Sequence, residues 1–437
     1  MGRTPKESDS VSLSEYHKTV EIPKNISFLR KLLAFSGPGF LVAVGYMDPG
    51  NWATDIAAGS AFYYKLLSVI LISNIFAMIL QHLALKLGIV TGLDLAQICR
   101  RNFPRPVTYF LWAMAEIMII ACDLAEVIGS AIALNLLFKI PLLFGVLITA
   151  FDVVVLLAML SRGVRLLEAL VIGLIATVTL SFGFEIVFSR PDIMPLLQGF
   201  VPSVEIVKNP AMLYVAVGIL GATVMPHNLY LHSSVVQTRN YGKTPGKKRE
   251  AIKFATIDST LALFLAFFVN AAILIVAAAV FYTNGLNHVF DIGQAYKLLS
   301  PLVGVGAASI LFALALLASG QNSTITGTLA GQIIMEGFLK IKIKPFLRRL
   351  ITRSLAIIPA VLVIVLYGAN SLGSLLVLSQ VILSIQLSFA VFPLIFFTGN
   401  KRQMGEFVNS TILKVISGVI ALIIAALNIW LVANFIF

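Results

Sequence analysis

The chain has 437 residues, 59% of them hydrophobic and only 12% charged, with a mean hydropathy of +0.95. A soluble domain carries roughly twice that share of charge, so the composition excludes one and points to a polytopic membrane protein. The net charge of +12 would suit a nucleic-acid partner, but its distribution along the chain excludes that class.

Residues 1–33 are polar and of mixed charge. They lack the basic start, apolar run and small-residue cleavage site of a signal peptide, and read as a soluble, flexible tail. Eleven apolar segments follow, at about 34–60, 65–90, 107–138, 141–161, 164–189, 211–238, 252–282, 301–337, 350–367, 372–398 and 411–436. Their lengths predict membrane helices, and the absence of short alternating runs excludes an outer-membrane barrel. With the N-terminus in the cytoplasm, only Lys65, Lys139, Arg190, Lys208 and Lys297 of the 32 basic residues fall outside. That asymmetry sets the orientation and puts the C-terminus outside. The positive charge thus faces cytoplasmic loops and anionic headgroups. Loops are short, so function must reside within the bundle. No glycosylation sequon falls in an outer loop, which with the short loops suggests a bacterial cytoplasmic membrane.

The first segment contains "AVGYMDPGNWATD", Ala43 to Asp55. A Pro49-Gly50 pair breaks the helix between a carboxylate, Asp48, and an amide, Asn51. A charge near mid-membrane costs on the order of 2.5–3.5 kcal/mol, so something must offset it. The second segment carries Asn74 and Gln81, which suit either a lined cavity or hydrogen bonds between helices. The third carries Glu116, Asp123 and Glu126. Residues seven apart differ by about 20° and residues three apart by about 60°, so the three acids share one side of a helix. Intramembrane acids mark ion or proton paths, with pairing to Arg348 or Arg349 at the inner end of segment nine as the structural alternative. Asp152, Glu168, Glu185 and Asp258 are expected at helix ends or in internal pairs. Cys99 and Cys122 lack metal spacing and read as inert thiols.

Segment six, "VGILGATVMPHNLYLHSS", repeats the oddity of segment one. When Pro226 is aligned with Pro49, Met225 faces Asp48 and Asn228 faces Asn51. Interrupted segments at matching positions in two halves point to an inverted-repeat transporter. The freed backbone carbonyls need a cavity or a cation. Carboxylate and amide oxygens suit hard cations, whereas the Met225 thioether is soft, so the mixture favours Mn²⁺ or Fe²⁺ over Ca²⁺ and Mg²⁺. His227 and His232 lie about 140° apart around a helix and do not share a face, which removes the best zinc motif. Thr223 and, on segment ten, Gln380 are further candidates to line the cavity.

The DPGN of segment one together with "GATVMPHNLYLHSS" resembles the Nramp family of proton-coupled divalent metal transporters. The "DLAE" of segment three, "LLASGQNST" of segment eight and "LSQVILS" of segment ten are similar to it too. The resemblance implies an all-α LeuT-type fold of eleven helices. Two inverted five-helix repeats, 34–190 and 211–398, would precede an additional helix at 411–437. It implies a metal ion held by Asp48, Asn51, Met225 and the carbonyls of Gly45 and Ala222, with Gln380 at the site and gate. Gly45 departs from the Ala often found there. The proton route implied is Asp48, His227, Asp123 and Glu126, with Arg348 or Arg349 at its inner end and Glu116 on the same face. Gln81, Asn74, Thr223 and His232 would line the cavity or gate it. No cofactor is expected beyond transported Mn²⁺ or Fe²⁺ and H⁺, and a monomer in the lipid bilayer is. No phosphate-binding loop is present, so an ion gradient must supply the energy. The competing classes are a sodium-coupled carrier of an organic solute, a Mg²⁺ or divalent-cation channel or carrier, and an embedded metalloenzyme.

Overall fold

The computed structural model describes residues 16–23, 27–151, 164–287, 289, 291–304, 306–341, 345–368 and 371–436. Helices α1 (Phe28–Phe35) and α2 (Pro38–Ala43) lead into a 3-10 turn, Val44–Met47, and then α3 (Pro49–Phe62). They are followed by α4 (Leu67–Thr91), α5 (Leu95–Asn102), α6 (Arg105–Phe138), α7 (Leu142–Ile148) and α8 (Val164–Ser189). The second half holds α9 (Pro210–Val224), α10 (Pro226–Val235), α11 (Pro245–Val280) and α12 (Ile292–Val303). It continues with α13 (Ala308–Leu339), α14 (Pro345–Tyr367), α15 (Leu372–Thr398) and α16 (Thr411–Ile436). Proline occupies the first turn of α2, α3, α9, α10 and α11, where its missing N–H costs no helical hydrogen bond.

Among the described residues, eight helices are long and apolar enough to cross a membrane. The pair formed by α1 and Pro38–Met47, bent by 47°, raises that to nine. The expected eleven is therefore not reached. The apolar run Leu350–Leu366 of α14 is shorter than a span, and residues 152–163 of the fourth segment lie outside the described residues. The start expected for segment eight, near 301, is not the start of its span. Instead α12 ends at Val303, its Pro301 inside, and the spanning helix begins at Ala308.

The N-terminal tail is not wholly free of the bundle. Val20–Glu21 pairs in parallel with Arg239–Asn240, and α1 begins within the stretch expected to be tail. The Lys18 N–H donates to the Gln237 carbonyl at 2.9 Å, and Tyr16 is buried.

The two interrupted segments form the middle of the molecule. Within the span Pro210–Thr238, 94% of the most apolar window is buried, against 33% for Arg165–Ser189 and Thr411–Ala433. The latter two helices therefore form the rim that faces lipid. α3 packs on α11, α9 packs on α15 and α4, and α6 packs on α13, so the two breaks are enclosed by helices of both halves.

Candidate metal centre at two helix breaks

At the first break Asp48 leaves helical geometry (φ −70°, ψ 166°) and caps α3. Its Oδ1 accepts from the Asn51 backbone N–H at 2.8 Å and from Asn51 Nδ2 at 2.9 Å, while its Oδ2 is buried without a partner. The carbonyls freed here are met by side chains from elsewhere. Asn270 of α11 donates to Tyr46 at 2.8 Å. Trp52 donates to Met47 at 3.3 Å, and Ser319 of α13 also donates to Met47.

At the second break Met225 adopts φ 27° and ψ 101°, a conformation costly for a side-chain-bearing residue. The turn is held by the Met225 N–H on the Gly221 carbonyl at 3.3 Å and the Asn228 N–H on the Met225 carbonyl at 3.2 Å. Asn228 Nδ2 lies 3.8 Å from the Met225 sulfur.

The breaks meet. Asn51 Nδ2 donates to the Ala222 carbonyl at 3.1 Å, which ties the first break directly to the second. The Asn228 amide lies against Gly45, so closely that an added Cβ would overlap it. An alanine here would require the end of the Asn228 side chain to shift. Gln380 of α15 is wedged between the halves, its side chain over Gly50 and its carbonyl against Gly221.

Five buried acceptor atoms around this junction have no hydrogen-bond partner: Asp48 Oδ2, Thr223 Oγ1, Asn228 Oδ1, Asn270 Oδ1 and Gln380 Oε1. Native proteins leave few such atoms, and a cluster of them fits a cation. Among the described residues no three His, Cys, Asp or Glu gather into a conventional metal cluster. The donor set here is instead one carboxylate with amides, carbonyls and a thioether, which suits a divalent ion of intermediate softness.

The acids of α6 diverge in partner. Glu116 is paired bidentately by Arg348, at 2.9 and 3.0 Å, and accepts from Trp112 at 3.0 Å. Glu126 is fully buried and pairs with Arg353 at 3.1 Å. Arg353, one turn beyond the arginines singled out in the sequence, also donates to the Thr149 carbonyl at 3.3 Å and to Thr324 at 3.4 Å. The Arg349 side chain lies outside the described residues. Cys122 bridges toward the break: its sulfur is 3.5 Å from Glu126 Oε1 and 3.8 Å from His227 Nε2. Asp123 is buried and within electrostatic reach of His227. His227, Cys122, Glu126 and Arg353 thus form one contiguous polar chain leading from the second break.

Gln81 and His232 belong elsewhere. Gln81 Nε2 donates to the Tyr46 hydroxyl at 2.6 Å, and its Oε1 lies 2.9 Å from His232 Nδ1. This link fastens the turn before Asp48 to α10. Asn74 is buried two turns before Gln81 on α4.

Glu168 and Asp258 behave as internal pairs and caps. Glu168 holds Arg239 at 2.7 and 3.0 Å, and Asp258 accepts from the Gly39 N–H at 2.7 Å. Glu185 lies one turn from the end of α8, as expected, but is not paired. Both its oxygens are buried without a partner. Three residues near the junction escaped sequence reasoning: Asn270, Ser319 and Arg353. Asn270 had a signal, a lone amide in the apolar run "FFVNAAILIV". Ser319 had only a weak one, and the register of Arg353 required the fold.

A cleft of about 310 Å³ opens between α3, α9 and α15, lined among others by Ala57, Phe62, Tyr214 and Val377. At the opposite end every residue of α10 is buried.

The chain is similar to known proteins over nearly its whole length. The sequence pattern described as natural resistance-associated macrophage protein-like (Nramp) matches residues 39–434. The divalent metal cation transporter MntH of Listeria monocytogenes is 62% identical over 426 residues, covering 98% of this chain and 95% of that protein. A crystal structure of the Eremococcus coleocola manganese transporter superposes with a TM-score of 0.89 at 43% identity, covering 96% of this chain and 90% of that one. The nucleobase-cation-symport-1 family transporter Mhp1 superposes with a TM-score of 0.60 at 14% identity, covering 90% and 82%, which is a likeness of fold alone. The expected LeuT-type helical fold with two interrupted segments is thus the fold observed.

Proposed function

This chain belongs to the Nramp family of multi-pass membrane transporters and is not an enzyme; from that premise we propose that it imports Mn²⁺ or Fe²⁺ into the cytoplasm together with protons. The observation that carries the reading is the junction itself: Asn51 bonded to the Ala222 carbonyl, with Asp48 Oδ2 and four other buried acceptors unpaired around it. An arriving divalent ion binds the free oxygen of Asp48 and takes Asn51 and the Ala222 carbonyl from their mutual hydrogen bond. Gly45 contributes its carbonyl and Gln380 closes over the ion. Met225 adds a thioether that Ca²⁺ and Mg²⁺ bind poorly.

Protons leave Asp48 as the metal binds. They pass by way of His227, Cys122 and the α6 acids Asp123 and Glu126, with Arg353 restoring the charge balance of Glu126. Glu116 and Arg348 form a second pair further along α6. Alternating access follows from the repeats at 34–190 and 211–398, whose first helices rock against the rest. The ion enters through the cleft between α3, α9 and α15, which faces outside when the N-terminus is cytoplasmic. Opening to the cytoplasm requires the Tyr46–Gln81–His232 link to break. The transporter works as a monomer in a bacterial cytoplasmic membrane.

The test is metal uptake by the purified protein in proteoliposomes at two external pH values, with competing divalent ions present. Saturable Mn²⁺ uptake that rises with an inward proton gradient, and internal acidification on adding Mn²⁺, are the expected results. Uptake that requires Na⁺, or that fails to saturate, would overturn the reading in favour of a sodium-coupled carrier or a pore.

A further inference from the structure

A second concavity lies at the end of the molecule opposite the α3–α9–α15 cleft. It has a volume of about 320 Å³ and lies where four pieces of chain converge. These are the docked N-terminal segment, the end of α4, the strand Arg239–Asn240 that continues from α10, and the turn leading into α11. Four cationic residues line it, Lys18, Arg239, Lys243 and Lys248, and among the described residues no carboxylate does.

Two of those cations are already partly engaged, and in a way that orients them. Lys248 donates to the Val90 carbonyl at 2.8 Å, which pins its ammonium at the wall of the cleft. Arg239 is 1% exposed and spends its terminal nitrogens on Glu168, Ser36 and Thr238, yet its Nε is buried with no partner. Lys18 and Lys243 are exposed. The 36-residue α11 begins at this point with Thr244 as its cap, and Thr244 makes no side-chain capping bond. Its first-turn N–H groups therefore add a partial positive charge at the same place. Glu168 neutralises Arg239 and Glu21 accepts from Asn240, which leaves three lysines, a buried unsatisfied Arg nitrogen and an uncapped helix start as a concave surface matched to a compact anion with several oxygens.

We propose that this cleft binds a phosphate group, supplied in the membrane by the headgroup of an anionic lipid. Its depth in the fold agrees with that source. The cleft lies at the end of the α4 span, where the chain leaves the bilayer, and basic pockets at that level select anionic headgroups. A bound phosphate would join Lys18 to Lys243 and so tie the N-terminal segment to the loop that follows α10. The proposal stands apart from the metal site and does not depend on the ion transported.

The experiment uses the full-length protein purified in detergent. Native mass spectrometry measures retained lipid, and thermal unfolding is followed while phosphatidylglycerol, phosphatidylcholine or inorganic phosphate is titrated in. The variants are Lys18→Gln/Lys243→Gln and, as a charge-matched control at the other end of the molecule, Lys208→Gln/Lys297→Gln. Wild type and control should retain phosphatidylglycerol over phosphatidylcholine. The cleft variant should bind it about 25-fold more weakly, roughly fivefold for each lysine removed. Stabilisation by phosphatidylglycerol but not by inorganic phosphate identifies a lipid headgroup. Competition by inorganic phosphate identifies a soluble phosphate as an alternative occupant of the same site. The proposal is overturned if neither anion binds, or if the cleft variant and the control lose affinity equally, since the effect would then be one of net charge.

Discussion

The two helix breaks occupy matching places but are built differently. The first break is rich in donors: Asn270, Trp52 and Ser319 meet the carbonyls of Tyr46 and Met47, and Asn51 meets the capping carboxylate. Its residue of departure, Asp48, sits in ordinary extended geometry. The second break has no carboxylate, and its residue of departure, Met225, is held at a positive φ. One break thus supplies charge on a relaxed, well-braced backbone. The other supplies a soft sulfur and a carbonyl on a strained one. If the junction holds a metal ion as proposed, the braced carboxylate would carry affinity and the thioether discrimination.

Removing the charge should have the largest effect. Asp48→Ala should lower Mn²⁺ uptake in proteoliposomes by more than about a hundredfold, since even supporting residues cost 10- to 100-fold. Near-normal uptake would remove the first break from the site. Asn270→Ala strips a brace without touching the carboxylate. About a tenfold loss of Mn²⁺ affinity is expected by calorimetric titration, and an unchanged affinity would show that the first break braces itself.

Met225→Ala tests the other side. Mn²⁺ uptake should persist at a reduced rate while Ca²⁺ and Mg²⁺ become competitors, because the thioether they bind poorly is gone. If they still fail to compete, selectivity is set by the first break alone. Asp123→Asn lies on the polar face of α6 that approaches His227. Metal-driven proton influx should fall more than metal uptake when both are recorded from the same vesicles. Equal loss would assign Asp123 to the metal site or to the fold.

The smallest effect concerns the far end of the second break. His17 lies 3.4 Å from Ser234, next to Lys18, and burial together with that lysine holds its pKa at about 4. Its value in the docked segment is below the usual 6.5, so docking is unaffected above that pH. Docking then weakens as pH falls from about 6.5 toward 4, as the undocked form takes up the proton. Limited proteolysis of the N-terminal segment at pH 7.5 and pH 5 should reveal faster cleavage in acid, and His17→Gln should remove the difference.

Much of the junction was legible because its chemistry is local. Pro49-Gly50 and Pro226 announce breaks wherever they stand in an apolar run, and Asp48 and Asn51 flank the first by sequence alone. Glu116, Asp123 and Glu126 could be assigned to one side of a helix from spacing. Their partners could not. Arg348 and Arg353 are five residues apart, and which of them reaches Glu126 depends on how α14 is translated along α6. Cys122 reads as an inert thiol in sequence and stands between His227 and Glu126 in the structure.

Membrane class, the places of the two breaks and the kinds of donor atom beside them can be read directly from the residues. These follow from hydropathy, proline and residue chemistry, which act over a few residues. That the breaks touch, through Asn51 and the Ala222 carbonyl 171 residues apart, emerges from the packed fold alone. It alone sets the Asn228 side chain against Gly45 and brings Asn270, Ser319 and Gln380 to the junction from three other helices. Contacts across such separations are set by helix packing, where a turn's shift changes every partner, and no local pattern records them.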